Sequence, residues 1–398
     1  QYSQPSYPDT MMPEHSQKIS APVQGASKAA AVIAGLLAQA DIRVNGDAPW
    51  DIRVHSPDFY RRVLSRGSLG LGEAYMDGLW DVPRLDQFFD RVLRAGLDRK
   101  LGGWQRVRVF GAILRNLLSN RQSYARSFQV GVQHYDIGND VFAAMLDPGM
   151  NYSCAYWAKA GNLAEAQRHK LDLICRKLDL QPGERLLEIG CGWGGLARHA
   201  AQHYGVEVFG VTVSREQLRL ARERCAGLPV ELALMDYRDI RGTFSKAVSV
   251  GMFEHVGKKN YGVFFDTVRN ALSAEGLLLL HTIGTCGSAG YTDPWIDRYI
   301  FPNGMLPTAR DLTETIEGRL LIEDWHSFGQ DYDLTLMAWR ESFERAWPQL
   351  REHYDRRFYR MWTYYLLGSA GFFRSRKGQL WQLVLSMPER RGGYRSLR

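Results

Sequence analysis

Downstream of Gly183 the chain alternates between short apolar runs and longer stretches whose apolar residues recur every three or four positions. The runs are Arg185–Ile189, Glu207–Val213, Val230–Met235, Ala247–Val250 and Leu277–Thr282. Helical spacing fills the gaps near Gly195–His203, Arg215–Arg224 and Tyr261–Leu272. Strand-then-helix alternation predicts a parallel, doubly wound α/β sheet. Two later strand-like segments, Arg319–Trp325 and Leu380–Met387, are separated by a long helical stretch and are expected to add an antiparallel edge.

The upstream half reads differently. Residues 1–25 are rich in Ser, Pro and Gln without apolar periodicity, as in a disordered tail. Residues 26–98 carry short helical patterns punctuated by glycine. Leu85, Phe88, Phe89, Val92 and Leu93 fall on one helical face, opposite Arg91 and Arg94, and predict an amphipathic helix in a small helical N-terminal domain. Residues 99–130 hold no acidic residue. Arg99, Lys100, Arg106, Arg108, Arg115, Arg121 and Arg126 stand among Trp104, Val107, Phe110, Leu114, Leu117 and Leu118. That pattern fits a basic amphipathic element lying on a membrane surface, and equally a linker packed on its own protein. Residues 131–398 form the expected catalytic domain.

Composition narrows the class. The 398 residues are 45% apolar, 23% charged and 12% aromatic, as in a folded globular protein. No apolar run reaches the roughly 18–20 residues that span a bilayer; Ala29–Ala40 and Gly276–Leu280 fall well short. No secretory pattern opens the chain, so a cytoplasmic protein is expected. Cys154, Cys175, Cys191, Cys225 and Cys286 include no CxxC pair, against a disulfide framework or a structural zinc. The net charge of +7 suits nucleic acid, an anionic membrane or an acidic substrate without choosing among them.

The chemistry centres on Glu188-Ile-Gly190-Cys-Gly192-Trp-Gly194-Gly195, between the first strand and a helix. Gly190, Gly192 and Gly195 satisfy the G-x-G-x-x-G of dinucleotide sites. That reading wants an acid ending the next strand to hold the ribose, and Val211-Thr212-Val213-Ser214 offers none. With Glu188 included, the motif is E-x-G-x-G-x-G, which resembles the S-adenosylmethionine loop of class I methyltransferases. A carboxylate there faces the cationic amino-acid end of the cofactor. Asp236, ending the third strand, is placed to accept from an adenine amino group.

Seven segments in order then resemble one family: QHYDIGND (133–140), YSCAYW (152–157), EIGCGWGG, SVGMFEHVG (249–257), LLHTIG (279–284), WIDRYIFPNG (295–304) and DYDLTLMAW (331–339). The set is similar to the cyclopropane fatty acid synthases, and GSLGLGEAYMDGLW extends the likeness into the N-terminal part. The resemblance implies a class I methyltransferase fold, Rossmann-like, with a mostly parallel sheet and an antiparallel edge. By motif, Tyr152 and Ser153 would close over S-adenosylmethionine. Glu188, Gly190, Gly192 and Gly194 would hold its methionine half, Thr212 and Gln217 its ribose, and Asp236 and Tyr237 its adenine. S-adenosylhomocysteine would be left as product. A bicarbonate ion would sit among Cys154, Glu254, His281, Ile283 (through its backbone) and Tyr332. The implied partners are unsaturated acyl chains of membrane phospholipids, an anionic membrane surface and a second copy of the chain, and no nucleic acid. The enzyme would sit peripherally on the inner face of the membrane.

The chemistry asks for such a set independently. An alkene is a poor nucleophile, and its attack on a sulfonium methyl leaves a carbocation that needs a dry, electron-rich pocket. Ring closure then needs a base for one proton of the new methyl group. Trp157, Phe253, Tyr261, Trp295, Tyr299, Phe301, Tyr332 and Trp339 supply aromatic faces. A neighbouring chemistry stays open: methyl transfer to a lipid alkene or an amine without ring closure. His281 alone, ending an apolar strand, also fits an ordinary core histidine. Cys154 is read as a contact and not a nucleophile, since no covalent step is needed.

Overall fold

Leu277 to Leu280 are four consecutive leucines with no solvent exposure, which is how a strand covered on both faces reads. They lie in the middle of a seven-stranded sheet. A computed structural model describes residues 28–100, 138–287 and 292–398. The tail at 1–25, nearly all of the basic segment at 99–130 and the first part of QHYDIGND lie outside the described residues.

The sheet strands are β3 (Arg185–Ile189), β4 (Glu207–Thr212), β5 (Val230–Leu234), β6 (Phe244–Val250), β7 (Leu272–Thr285), β8 (Leu321–Ser327) and β9 (Gly378–Ser386). Their order is β5-β4-β3-β6-β7-β9-β8. The first five are mutually parallel and β9 runs antiparallel to both β7 and β8, so the expected α/β sheet with an antiparallel edge is observed. The strand order reverses between β3 and β6, the crevice where open α/β sheets bind ligands. Strand β7 is longer than its apolar run because the segment from Leu272 begins pairing with Phe244, across a register irregularity before Lys246.

Thirteen helices are described: α1 (Lys28–Ala38), α2 (Asp58–Met76), α3 (Leu85–Arg94), α4 (Leu97–Lys100), α5 (Asn139–Met145), α6 (Leu163–Lys177), α7 (Gly195–Tyr204), α8 (Arg215–Arg224), α9 (Tyr261–Ala271), α10 (Pro294–Tyr299), α11 (Ala309–Ile316), α12 (Gln330–Leu350) and α13 (Arg356–Arg374). A two-residue pair, β1 (Arg53–Val54) with β2 (Trp80–Asp81), closes the N-terminal part. Helix α6 starts where the Asn162 side chain accepts from Glu165 N–H at 3.0 Å, and α8 where Ser214 accepts from Gln217 N–H at 3.3 Å.

The N-terminal helices do not keep a core to themselves. Phe59, Tyr75, Trp80 and Phe88 share one buried cluster with Trp295, Trp339, Trp362 and Tyr364 from the catalytic half. Arg360 of α13 reaches back to donate to the Trp80 carbonyl at 2.9 Å and Asp81 at 2.7 Å. The glycine-rich GSLGLGEAYMDGLW is therefore a packing motif. At Gly72 a Cβ would stand 2.3 Å from the Trp295 ring, and at Gly371 one would meet Phe89 at 2.6 Å. Helix α2 also bends at Gly67, whose backbone is left-handed (φ 55°).

Gly72→Ala is expected to destabilise the protein. An alanine gains up to about 1 kcal/mol of helix propensity, but forcing a methyl against a fully buried indole costs about 1–3 kcal/mol. Urea unfolding followed by tryptophan fluorescence should show a lower midpoint; a raised midpoint would mean Trp295 is not seated against α2.

Candidate active site

The carboxyl ends of β3, β4, β5 and β6 open onto a cavity of about 180 Å³. Its lining includes Tyr152, Ser153, Glu188, Gly190, Gly192, Thr212, Gln217, Asp236 and Tyr237, so nine of the ten expected cofactor residues meet there. Gly194 does not line it. A Cβ at that position would approach Cys225 Sγ at 2.9 Å, and the residue is left-handed (φ 79°), so what it serves is the close seat of α7 on α8.

Each lining residue has a defined state. The Gly190 and Cys191 N–H groups both donate to the Val211 carbonyl, at 2.9 and 3.0 Å, so Gly190 offers clearance and not a donor. Thr212 donates to Gln217 Oε1 at 3.2 Å and accepts from Ser214 N–H at 3.2 Å, which fixes the Gln217 amide at the cavity wall. Asp236 Oδ1 accepts from the Arg238 N–H at 3.0 Å and from its guanidinium at 2.9 Å, capping the turn at Tyr237–Asp239. Glu188 is fully buried. The Ala197 N–H in the first turn of α7 favours its charged form, while Oε2 has no partner among the described residues. Burial pushes this carboxyl up to about 8.

A second constellation adjoins the cavity. Glu254 sits in the turn Phe253–His255 that follows β6, and the Ile283 N–H on β7 donates to its Oε1 at 2.6 Å. The Ile283 amide thus orients Glu254. Oε2 is buried without a partner among the described residues, and burial pushes the carboxyl up to about 7. His281 is 1% exposed, and burial holds its imidazole well below the ordinary value, so the ring is neutral. Gln382 Nε2, on the neighbouring strand, lies 3.2 Å from His281 Nδ1. With that amide donating, the ring proton is on Nε2, a buried atom with no partner among the described residues. Cys154, Ile283 and Tyr332 share a small apolar cluster with Phe328, whose ring stands edge-on to His281 with centroids 6.0 Å apart. Burial pushes the Cys154 thiol and the Tyr332 phenol well up, keeping both protonated, and the thiol donates to the Ala155 carbonyl at 3.2 Å. A covalent role for Cys154 has no support in that setting.

The two constellations are joined by the segment Tyr152–Trp157. Asp331 accepts from the Trp157 N–H at 2.7 Å, and Thr335 accepts from the Ala155 N–H at 3.1 Å and the Trp157 indole at 2.9 Å. Helix α12, which carries Tyr332, therefore also holds the strap over the cofactor cavity. The cleft is aromatic on its far side. The Tyr152 ring lies tilted against Trp339, ring centroids 5.2 Å apart, and its hydroxyl meets that of Tyr365 at 2.8 Å.

A family model described as mycolic acid cyclopropane synthetase matches residues 122–383. The chain belongs to the mycolic acid cyclopropane synthetase family. It is 56% identical to the cyclopropane-fatty-acyl-phospholipid synthase of Escherichia coli K12 over 353 residues, covering 88% of this chain and 91% of the relative. It is 35% identical to the tuberculostearic acid methyltransferase UfaA1 of Mycobacterium tuberculosis, covering 83% of this chain and 82% of that one. Among solved structures, mycolic acid cyclopropane synthase CmaA1, complexed with SAH and CTAB, superposes with a TM-score of 0.61 at 31% identity. That match covers 65% of this chain and 97% of the other. The resemblance drawn from the seven segments is thus borne out at the level of family and fold.

Three residues of this family member's site carry no role in the seven segments. Lys170 lines the cofactor cavity at 1% exposure, donating to Ser153 Oγ at 2.9 Å. Gln382 sets His281, and Thr335 anchors the strap. Lys170 was legible as a charge on the apolar stripe Ala166, Lys170, Leu171, Ile174, and Gln382 as an amide inside the apolar run of β9.

The raised carboxyl of Glu254 makes a stability prediction. Between about 4.5 and 7 the folded state keeps a proton that the unfolded state has lost, so stability falls as pH rises through that window. Glu254→Gln keeps an acceptor for Ile283 and removes the titration. Its stability relative to the unsubstituted protein should improve by about 2–3 kcal/mol between pH 5 and pH 8. Urea unfolding at both pH values measures this; a pH-independent difference would show that Glu254 is not desolvated.

Proposed function

We propose that the chain transfers a methylene group from S-adenosylmethionine to the cis double bond of unsaturated acyl chains in membrane phospholipids, closing a cyclopropane ring. The carrying observation is the pair of buried atoms Glu254 Oε2 and His281 Nε2, neither with a partner among the described residues, beside a cavity built on β3 to β6. The 56% identity to a cyclopropane-fatty-acyl-phospholipid synthase over most of both chains supports the substrate class. The CmaA1 complex with SAH supports the cofactor.

The residues divide the chemistry. Glu188, Thr212, Gln217, Asp236 and Tyr237 would bind the cofactor along the strand ends, and Tyr152 and Ser153 would cover it. The alkene π electrons take the sulfonium methyl, the S–CH₃ bond breaks to a neutral thioether, and positive charge develops on the acyl chain. Aromatic faces at Tyr152, Trp339 and Tyr332 would stabilise that charge without combining with it. Loss of a proton from the new methyl lets its C–H electrons close the ring. The second constellation fits a small planar anion: a neutral imidazole N–H and a phenol as donors, the Cys154 thiol as a contact, and Glu254 Oε2 as acceptor for a hydroxyl. Bicarbonate held there would supply the base. Keeping Glu254 itself one step back from the cation avoids ester formation by collapse. We further propose a peripheral position on the inner face of the membrane, drawn by anionic lipid, and a homodimer. Among the described residues no helix is long and apolar enough to cross a membrane.

Purified protein incubated with S-adenosylmethionine and vesicles of mono-unsaturated phospholipid should yield acyl chains heavier by one CH₂ with the alkene lost, read by mass spectrometry after ozonolysis. Glu254→Gln should lower that rate by about 10²–10⁴-fold while S-adenosylhomocysteine still binds. Methyl-branched or methylene products from the unsubstituted protein would move the activity to methyl transfer without ring closure, and full activity in the variant would remove Glu254 from the chemistry.

A further inference from the structure

Burying a lysine is costly unless an anion answers it. Lys170 is fully buried on α6, and desolvation lowers it to about 8. Ser153 Oγ is its hydrogen-bond partner among the described residues. The carboxylates that act on it are Asp147 and Glu188. Asp147 is already occupied: it accepts from the N–H groups of Gly149 and Asn151 and from the Asn151 amide, at 2.8–2.9 Å. Among the described residues Glu188 makes no ion pair with Lys170 and its Oε2 has no partner. The cavity wall therefore presents one cation and one carboxyl whose ionised forms are each disfavoured by burial, and neither satisfies the other. A zwitterion would answer both. Its carboxylate would stabilise Lys170 as ammonium, and its ammonium would stabilise Glu188 as carboxylate.

We propose that Lys170 recognises the carboxylate of the cofactor's amino-acid end, directly and through the Ser153 hydroxyl that it orients. This rests on the cofactor reading of the cavity and adds the residue that reads the carboxylate charge. The arrangement also ties cofactor binding to catalysis. Ser153 precedes Cys154 in the strap held by Asp331 and Thr335, so a carboxylate seated on Lys170 and Ser153 fixes the segment that carries Cys154. Gln167, one turn before Lys170, donates to the Ser153 carbonyl at 2.9 Å and to that of Asn151 at 3.2 Å, so α6 holds the strap at more than one point. Lys170 is in this sense a binding and positioning residue.

Two ligands separate charge recognition from mere packing. S-adenosylhomocysteine carries the amino-acid end; 5′-methylthioadenosine shares the nucleoside and thioether and lacks that end. By isothermal titration, Lys170→Met should weaken S-adenosylhomocysteine about 30–100-fold, the range for a buried charge-assisted contact, and leave 5′-methylthioadenosine within about twofold. Lys170→Gln, which keeps a donor for Ser153 but no charge, should show the same selective loss. The carboxamide of S-adenosylhomocysteine should bind unsubstituted protein as weakly as the acid binds Lys170→Gln, and should lose nothing further in that variant. Equal weakening of both nucleosides in the folded variants would reduce Lys170 to a structural residue. Unchanged S-adenosylhomocysteine affinity would remove it from the site. Failure of the unsubstituted protein to bind either nucleoside would instead overturn the cofactor reading on which the proposal stands.

Discussion

Desolvation of Glu254 and His281 is the constraint to which the rest of the site answers. A carboxyl pushed up to about 7 and an imidazole held neutral both cost folding free energy, and the fold accepts that cost at the ends of two adjacent strands. Water would quench the carbocation of the proposed reaction, and it would also satisfy the buried polar atoms that have no partner among the described residues. The Ile283 amide and the Gln382 side chain each settle one side of these groups and leave the other side facing inward. A dry pocket of this kind needs walls on every side. The parallel sheet supplies one, α12 another, and the strap Tyr152–Trp157 a third.

That enclosure explains why the N-terminal helices are stitched to the catalytic half. Tyr152 and Trp339, which line the aromatic side of the cleft, sit in or against the same core as Trp80, Phe88 and Trp295. Arg374 of α13 pairs with Asp333 of α12 at 2.8 Å and also with Asp86 of α3, a residue only 1% exposed. Removing one partner of so buried a pair leaves an uncompensated charge, so α3, α12 and α13 are held as a unit. The cleft wall inherits its position from that unit.

Much of this was legible in the chain. The apolar runs placed β3, β4 and β5 to within a residue, while β6 begins three residues before its run and β7 extends five residues before and three beyond its own. Glu188 with the glycines marked the cofactor loop, because a strand-to-helix turn with positive φ leaves few other residue types open. The gathering of Glu254, His281 and Ile283 was harder, since it depends on β6 and β7 lying side by side in register, with Val250 opposite His281. What sequence could not supply was hydrogen-bond direction. The Ile283 amide serves Glu254, the Gly190 amide serves Val211, and Asp236 shares an oxygen with Arg238. These assignments follow from which neighbours arrive first in three dimensions. Lys170 and Gln382 escaped for a related reason: a lone polar residue on an apolar face announces an internal partner without naming it.

Glu254 and His281 are proposed to form together a site for a small anion beside the cofactor cavity. Titration of ¹³C-labelled bicarbonate into the protein loaded with S-adenosylhomocysteine, followed by ¹³C NMR, tests it most directly. A saturable bound signal at one site per chain is expected, lost in His281→Phe while S-adenosylhomocysteine stays bound. A response that never saturates, or one unchanged by His281→Phe, would contradict it.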